Sequence, residues 1–173
     1  MQGELISDID GNSSKSNKNT TQIENCVVWV EITHTDIDYL VMQKKNDPEY
    51  YLHKNYKSEY SYSGTPFLDS KCNIKTSQNL IIYGHNMKDG TMFSGLIRHK
   101  DIDYCKQQPT IYLTVDNTVY EYELYAVCKA FSDDGWHTFT EQTSEKTFDE
   151  LISHIQNKSL YKFDKTAEYG DCF

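Results

Sequence analysis

Residues 79–93 read NLIIYGHNMKDGTMF, an apolar run that passes through a glycine into a polar loop headed by a histidine. A continuous apolar run of this length predicts a strand that is buried on both faces. Gly84 and Gly90, on either side of His85, permit tight backbone turns. An imidazole just past a strand lies half-exposed at the rim of a sheet, where it can exchange protons near neutral pH. From the spacing alone, a surface histidine in a polar loop is the default interpretation.

Short β-rich runs lie before and after this segment. Three of them predict strands: residues 27–32, 38–42 and 64–69. Residues 48–62 predict a short helix followed by a loop. Residues 110–115 alternate in polarity, and residues 118–127 do so again. The Asp116-Asn117 pair between them tolerates positive φ, so these two runs predict a hairpin.

One longer helix is predicted near residues 148–157. Thr147 and Glu150 fit a capping box, which satisfies free amides at the start of a helix. The apolar side chains that follow have the spacing of one helix face: Phe148, Leu151, Ile152 and Ile155. Many short strands with one or two helices predict a mostly β (α+β) domain, built as a β-barrel or a β-sandwich.

The composition predicts one folded domain behind a polar tail. Residues 1–25 start with a stretch rich in Ser, Asn, Lys and Gly, so we interpret them as a flexible tether and residues 26–173 as the domain. The net charge of −9 and the scattered Lys and Arg argue against nucleic acid as a partner. Five cysteines without a CxxC pair favour neither a zinc site nor a disulfide scaffold. We find no apolar run of about 18 residues, the length that predicts a membrane span.

Several segments, in order along the chain, resemble class B sortases. Residues 83–93, YGHNMKDGTMF, resemble the histidine loop of that family. Further blocks are similar to its first strands, its central hairpin and the helix between its sixth and seventh strands: residues 29–39, 49–52, 64–69, 109–122 and 148–161. The resemblance extends over residues 27–171.

The resemblance implies a closed sortase β-barrel with short peripheral helices and one longer helix near 148–157. It also implies a cysteine transpeptidase on the extracellular face of the membrane of a Gram-positive bacterium, attached through an N-terminal anchor that is not part of these residues. In this family a cysteine thiolate cleaves a Thr–Gly or Thr–Asn bond in a C-terminal sorting signal, and a peptidoglycan amine releases the thioacyl intermediate. The implied partners are therefore a sorting-signal peptide and a peptidoglycan precursor amine, and the chemistry requires no metal or organic cofactor.

Three residues are expected to belong to the site. His85 matches the family histidine, which exchanges protons with the cysteine, the leaving amine and the incoming amine. Asn86, beside it, is expected to contact substrate. Trp136 lies in the connection before the long helix, which borders the substrate groove in this family; a solvated loop is the default interpretation there, and a substrate contact is the alternative.

Two features depart from the family's pattern. Leu40 stands where the family usually has proline, a change that a strand tolerates. The family nucleophile lies in a T-L-x-T-C strand shortly after a segment like residues 169–171. An arginine on the following strand stabilises the oxyanion. Neither motif occurs in these 173 residues. We therefore expect the last two barrel strands to be missing and the 173-residue chain to be inactive.

Neither Cys172 nor Arg98 is expected to replace the missing groups. Cys172 precedes the expected position by several residues and lacks the T-L-x-T context, and a thiol at its ordinary pKa is mostly protonated at neutral pH. Arg98 follows the histidine loop in a predicted short helix and is interpreted as a solvated surface charge. Two alternatives stay open. One is a non-catalytic sortase-like domain, either a peptide binder or a relic; the other is an unrelated secreted β-barrel interaction module.

Overall fold

The computed structural model describes residues 20, 23–107, 110–131, 134–135, 139–140 and 144–171. Six strands form one sheet: β1 (Cys26–Ile32), β2 (Asp38–Met42), β3 (Phe67–Leu68), β4 (Ile82–Tyr83), β5 (Thr110–Val115) and β6 (Thr118–Glu123). The helices are α1 (Ile102–Cys105), α2 (Glu145–Lys158) and two 3₁₀ helices, Tyr50–His53 and Phe93–Lys100. The predicted mostly β class is confirmed. Residues 1–19 of the predicted tail lie outside the described residues.

The strands lie side by side in the order β4-β3-β2-β1-β5-β6. β1 pairs antiparallel with both β2 and β5, β2 pairs parallel with β3, and the remaining neighbours are antiparallel. Within the described part of the chain, β4 and β6 form the two ends of the sheet. The strands predicted at 27–32 and 38–42 are confirmed to within one residue, and so is a short helix inside 48–62.

Alternation along β1 builds the main core on one face of the sheet. Val28, Val30 and Ile32 are buried and belong to one cluster with Val41 of β2 and Leu113 of β5. Side chains two residues apart on a strand share a face, so β1 alone contributes three side chains to this core. Burial of each of these aliphatic side chains stabilises the fold by about 1.5–3 kcal/mol.

A second cluster fixes the Tyr50–His53 3₁₀ helix against the sheet. Met42 follows Val41 on β2 and therefore points to the opposite face, where it packs with Phe67 and Tyr51. Tyr51 is only 1% exposed. The 3₁₀ helix is thus anchored by one aromatic side chain, and the residues that follow Tyr51 lie beside the end of β4.

The predicted hairpin is confirmed, but its second strand is shorter than expected. Asp116 and Asn117 have φ of 48° and 66°, as a two-residue turn with two positive φ values requires. β6 ends at Glu123 because its partner there, Thr110, is the first residue of β5. The prediction of a strand through residue 127 is therefore wrong. Val127 lies instead beside the residues that follow α2, and its carbonyl accepts the amide of Leu160.

The long helix is confirmed, with its buried face formed by Phe148, Ile152 and Ile155. The predicted capping box at Thr147 and Glu150 is wrong, because the helix begins one turn earlier. Ser144 is the N-cap, and its Oγ accepts the amide of Thr147 at 3.2 Å.

The strand predicted over residues 79–84 is also corrected. Within the described part of the chain, only Ile82 and Tyr83 pair as β4, and both pair with β3. Tyr83 is 36% exposed, so the prediction of burial on both faces is wrong. The preceding Asn79 is buried and donates its side-chain amide to the carbonyl of Phe139, which draws residue 79 away from the strand pairing.

Candidate active site

The loop that follows β4 is closed by its own backbone. Asn86 and Met92 form a bridge, and the amide of Phe93 donates to the carbonyl of His85 at 2.9 Å. Inside the loop, the carboxylate of Asp89 accepts both the amide and the hydroxyl of Thr91, and these hydrogen bonds lower the pKa of Asp89. Because its ends are paired, the loop holds His85 at a fixed place at the rim of the sheet.

The two loop glycines have different roles. Gly90 has φ of +89°, so it supplies the turn expected from the sequence. Gly84 instead permits a close approach, because a Cβ at this position would lie 2.6 Å from Cδ2 of Phe93. The Phe93 ring is part of the main core's border, so any larger side chain at 84 would displace the start of the histidine loop.

The imidazole of His85 is half-buried and held by one backbone oxygen. Its Nε2 lies 2.9 Å from the carbonyl oxygen of Leu52, in the Tyr50–His53 3₁₀ helix. A carbonyl can only accept, so the ring proton lies on Nε2. In the neutral ring Nδ1 therefore carries the lone pair. Among the described residues no group hydrogen-bonds Nδ1, which leaves this nitrogen available as a base.

A glycine fixes the position of that carbonyl. Gly64 has φ of +59°, and a Cβ there would lie 2.2 Å from the carbonyl oxygen of Leu52 and 2.5 Å from that of Tyr51. The next amide, of Thr65, donates to the Tyr51 carbonyl at 3.0 Å. The segment after residue 63 thus lies directly against the 3₁₀ helix. Sequence reasoning missed Leu52, because a backbone acceptor leaves no mark in the residue type; a glycine at 64 was the available signal.

A second histidine contacts the first. The rings of His53 and His85 have centroids 5.4 Å apart and planes 30° apart, an offset stack. His53 is exposed, and its Nδ1 lies 3.3 Å from the carbonyl oxygen of Tyr62. The sequence analysis did not assign His53 to the site. Its place immediately after Leu52 brings it to the site.

Of the other two expected site residues, the structure describes Asn86 and not Trp136. Asn86 is exposed beside His85. Trp136 and Cys172 lie outside the described residues. Arg98 is exposed, as predicted; its Nη1 donates to the carbonyl of His34 at 3.0 Å, and its guanidinium carbon lies 4.8 Å from the centre of the Tyr104 ring. Arg98 is thus engaged with His34 and Tyr104.

The four described cysteines are poor nucleophiles. Burial raises the pKa of Cys26 to about 11 and raises the pKa of Cys105 and of Cys128. Cys72 is fully buried and its Sγ donates to the carbonyl of Asn79. A thiolate is the reactive form, so none of these four thiols is activated.

A groove of about 1340 Å³ lies along the inner side of β5 and β6. Its apolar lining includes Leu113, Val115, Tyr120 and Tyr122. Leu80, five residues before His85, borders the same groove, and so does Asp171. The groove therefore connects the far end of the sheet with the segment that leads into the histidine loop.

The comparisons with known proteins agree with this geometry. A family described as "Sortase domain" matches residues 30–157. The solved structure of sortase B from Listeria monocytogenes has a TM-score of 0.77 at 36% identity, over 83% of this chain and 82% of that one. The chain belongs to the class B sortases. Sortase B from Clostridium perfringens gives a TM-score of 0.80 at 29% identity, over 87% of this sortase and 82% of that chain.

The full-length Listeria protein extends well beyond the matched region. Sortase B of Listeria monocytogenes is 37% identical over 139 residues, which make up 80% of this sortase but 56% of the relative. In the described part of this sortase, no helix combines the length and the apolar character needed to cross a membrane.

Proposed function

We propose that this sortase domain supplies the histidine of a cysteine transpeptidase that acts on the sorting signals of surface proteins. The proposal rests on one observation above all: the Nε2–H of His85 is fixed on the Leu52 carbonyl, and Nδ1 is left as an available base. The substrate in this proposal is a C-terminal sorting signal with a Thr–Gly or Thr–Asn bond. The acceptor is a peptidoglycan precursor amine at the outer face of a Gram-positive membrane.

The proposed reaction has two acyl transfers. A cysteine thiol loses its proton to Nδ1 of His85, and the sulfur attacks the threonine carbonyl. The C–N bond breaks, the leaving amine takes the proton from His85, and a thioester remains. The incoming amine then attacks the thioester and loses a proton through His85, which returns the thiol. An arginine stabilises the oxyanion of each tetrahedral intermediate.

The thiol and the arginine of this scheme come from outside residues 1–173. Partial or full burial raises the pKa of Cys26, Cys105 and Cys128, and Cys72 is fully buried. Arg98 is engaged with His34 and Tyr104. We propose that the strands carrying both groups lie along the groove that runs from β6 to the segment before His85. The polypeptide of residues 1–173 alone is therefore expected to be inactive.

Substrate contacts are proposed at two positions. Asn86 is exposed next to the imidazole and can donate and accept hydrogen bonds with a peptide backbone. Trp136 is proposed to border the same substrate on the sequence resemblance alone. Membrane attachment is assigned to an N-terminal anchor outside these residues.

The direct test is a fusion that adds two class B sortase strands, bearing the T-L-x-T-C motif and the arginine, after residue 171. A quenched sorting-signal peptide and an amine acceptor report cleavage and ligation. We expect turnover by the fusion, none by residues 1–173, and a loss of at least about 100-fold with His85→Ala. The matched control is the fusion with its cysteine changed to serine. A folded fusion that cleaves equally well without His85 would refute the proposal.

A second candidate, a non-catalytic peptide-binding domain, is favoured by the state of the cysteines. Burial raises the pKa of three of them, so the 173-residue chain offers no activated thiol among its described residues. The two candidates differ in one observable. A thiol-directed sorting-signal analogue forms a covalent adduct with the fusion if the domain is catalytic, whereas a non-catalytic domain binds it reversibly in both forms.

A further inference from the structure

The Leu52-His53 dipeptide engages the imidazole of His85 twice. The carbonyl of Leu52 accepts Nε2–H at 2.9 Å, and the ring of the next residue, His53, stacks on the same imidazole at 5.4 Å. His53 is itself held, because its Nδ1–H donates to the carbonyl of Tyr62 at 3.3 Å. One short segment thus determines both the proton position and the ring plane of His85.

Three charged side chains of the neighbouring segments have partners of their own. Lys54 lies over the ring of Tyr50, with Nζ 4.1 Å from its centre. The carboxylate of Asp69 accepts the hydroxyl of Tyr83 at 2.9 Å, and that of Asp89 is bound by Thr91 within the loop. Among the described residues, His53 is the ionisable side chain in ring contact with His85. The ring of His53 is therefore placed to restrict rotation of the His85 ring.

We propose that His53 is a positioning residue for His85: its ring, held on the Tyr62 carbonyl, fixes the plane of the His85 imidazole. In that plane Nε2–H stays on the Leu52 carbonyl and the lone pair stays on Nδ1. Another aromatic ring at position 53 should keep this orientation, whereas loss of the ring should allow the imidazole to rotate. The value of this orientation to catalysis rests on the proposed function, whereas the stacking itself does not.

Nuclear magnetic resonance of the ¹⁵N-labelled 173-residue chain tests the positioning without substrate or thiol. Long-range ¹H–¹⁵N correlations give the tautomer of each neutral imidazole, and the line widths report motion of its ring. We expect neutral His85 to carry its proton on Nε2 and to have narrow ring resonances. His53→Phe, which keeps an aromatic ring for the stack, should retain both.

A second variant and a matched control test the ring itself. His53→Ala removes the stacked ring, so it is expected to broaden the His85 ring resonances and to lower the fraction of the Nε2–H tautomer. His154→Ala, on the exposed face of α2, is expected to leave both unchanged. Unchanged His85 resonances and tautomer in a folded His53→Ala variant would overturn the proposal, and so would a neutral His85 of the wild-type chain with its proton on Nδ1. Because no turnover is measured, this result is independent of the fusion experiment.

Discussion

At the scale of single residues, the sequence predicted the position of His85 but not the groups that hold its ring. The glycine-flanked loop predicts that His85 lies at the end of a strand, half-exposed, and the structure places it there. The partner that selects its tautomer is the carbonyl of Leu52, and every residue type has a carbonyl. Only Gly64 marks the contact, because no other residue fits so close to that oxygen at positive φ.

Changing Gly64 to Ala tests this contact. The new Cβ would lie 2.2 Å from the Leu52 oxygen, and the backbone would keep an unfavourable φ of +59°. We expect the free energy of unfolding to fall by about 2 kcal/mol or more, because the carbonyl must move as well as the backbone strain. Urea denaturation measures the loss, and the ring resonances of His85 should shift.

The matched control is Gly90→Ala. Gly90 also has positive φ, at +89°, but a Cβ there meets no atom within 4 Å. It should therefore lose only the backbone preference, about 1 kcal/mol. Equal losses for the two variants, with an unmoved His85, would mean that Gly64 does not support the Leu52 carbonyl.

At the scale of elements, strands with clear alternation were predicted well and their ends were not. β1 and β2 match their predicted ranges, because each has a complete partner strand. β6 and β4 are shorter than predicted, because the partner of β6 starts only at Thr110 and β4 pairs with two residues of β3. Pairing, rather than residue type, decides where a strand ends. The prediction of the helix cap was wrong for a related reason. Ser144 and Thr147 are both good capping residues, and only the backbone conformation selects between them.

Changing Ser144 to Ala tests the corrected cap of α2. The Oγ of Ser144 accepts the amide of Thr147, and its loss leaves that amide without its capping oxygen. We expect a destabilisation of about 1 kcal/mol in urea denaturation. Ser153→Ala, at an exposed position inside the same helix, should be neutral or slightly stabilising, because alanine has the higher helix propensity. A neutral Ser144→Ala would show that the cap contributes nothing.

The 3₁₀ helix after the histidine loop predicts a loss of stability in acid. Burial lowers the pKa of His99 below its ordinary value of 6.5, with its Nδ1 near the carbonyl of Leu96 and its ring against Tyr104. His99 therefore binds a proton less readily in the folded state than in the unfolded chain. The stability from neutral His99 is present above about pH 6.5 and is lost as the pH falls below it.

A pH series of urea denaturation compares the protein with His99→Gln, which cannot titrate. Between pH 7 and about pH 5 the wild-type chain should lose more free energy of unfolding than the variant does. His154→Gln, on an exposed face of α2, should follow the wild type. Parallel curves for wild type and His99→Gln would contradict the assignment of this acid loss to His99.

At the scale of the whole molecule, the sheet has an apolar inner face beside β6. The groove lined by Leu113, Val115, Tyr120 and Tyr122 continues to the segment before the histidine loop. The sequence resemblance implies two further barrel strands, and this stays a prediction. We propose that such strands would pair beside an end strand of the sheet, β4 or β6, and cover this groove.

This exposed face predicts dye binding by the 173-residue chain. The apolar side chains that line this groove, among them Leu113, Val115 and Tyr122, should bind an anilinonaphthalene sulfonate dye with increased fluorescence at neutral pH. The fusion that adds two sortase strands should lose most of that signal and unfold at a higher urea concentration. Equal dye fluorescence from a folded fusion would mean that the strands do not occupy the groove.

The central claim is that His85, bound through Nε2 to Leu52, presents Nδ1 to a thiol delivered along that groove. The most direct measurement is a crystal structure of the strand-bearing fusion, and the decisive distance is the one from the cysteine Sγ to each nitrogen of His85. We expect the sulfur on the Nδ1 side, within a few ångströms, with the Leu52 hydrogen bond retained. A sulfur that approaches Nε2 with the Leu52 contact broken, or that lies outside the groove and away from His85, would contradict the claim.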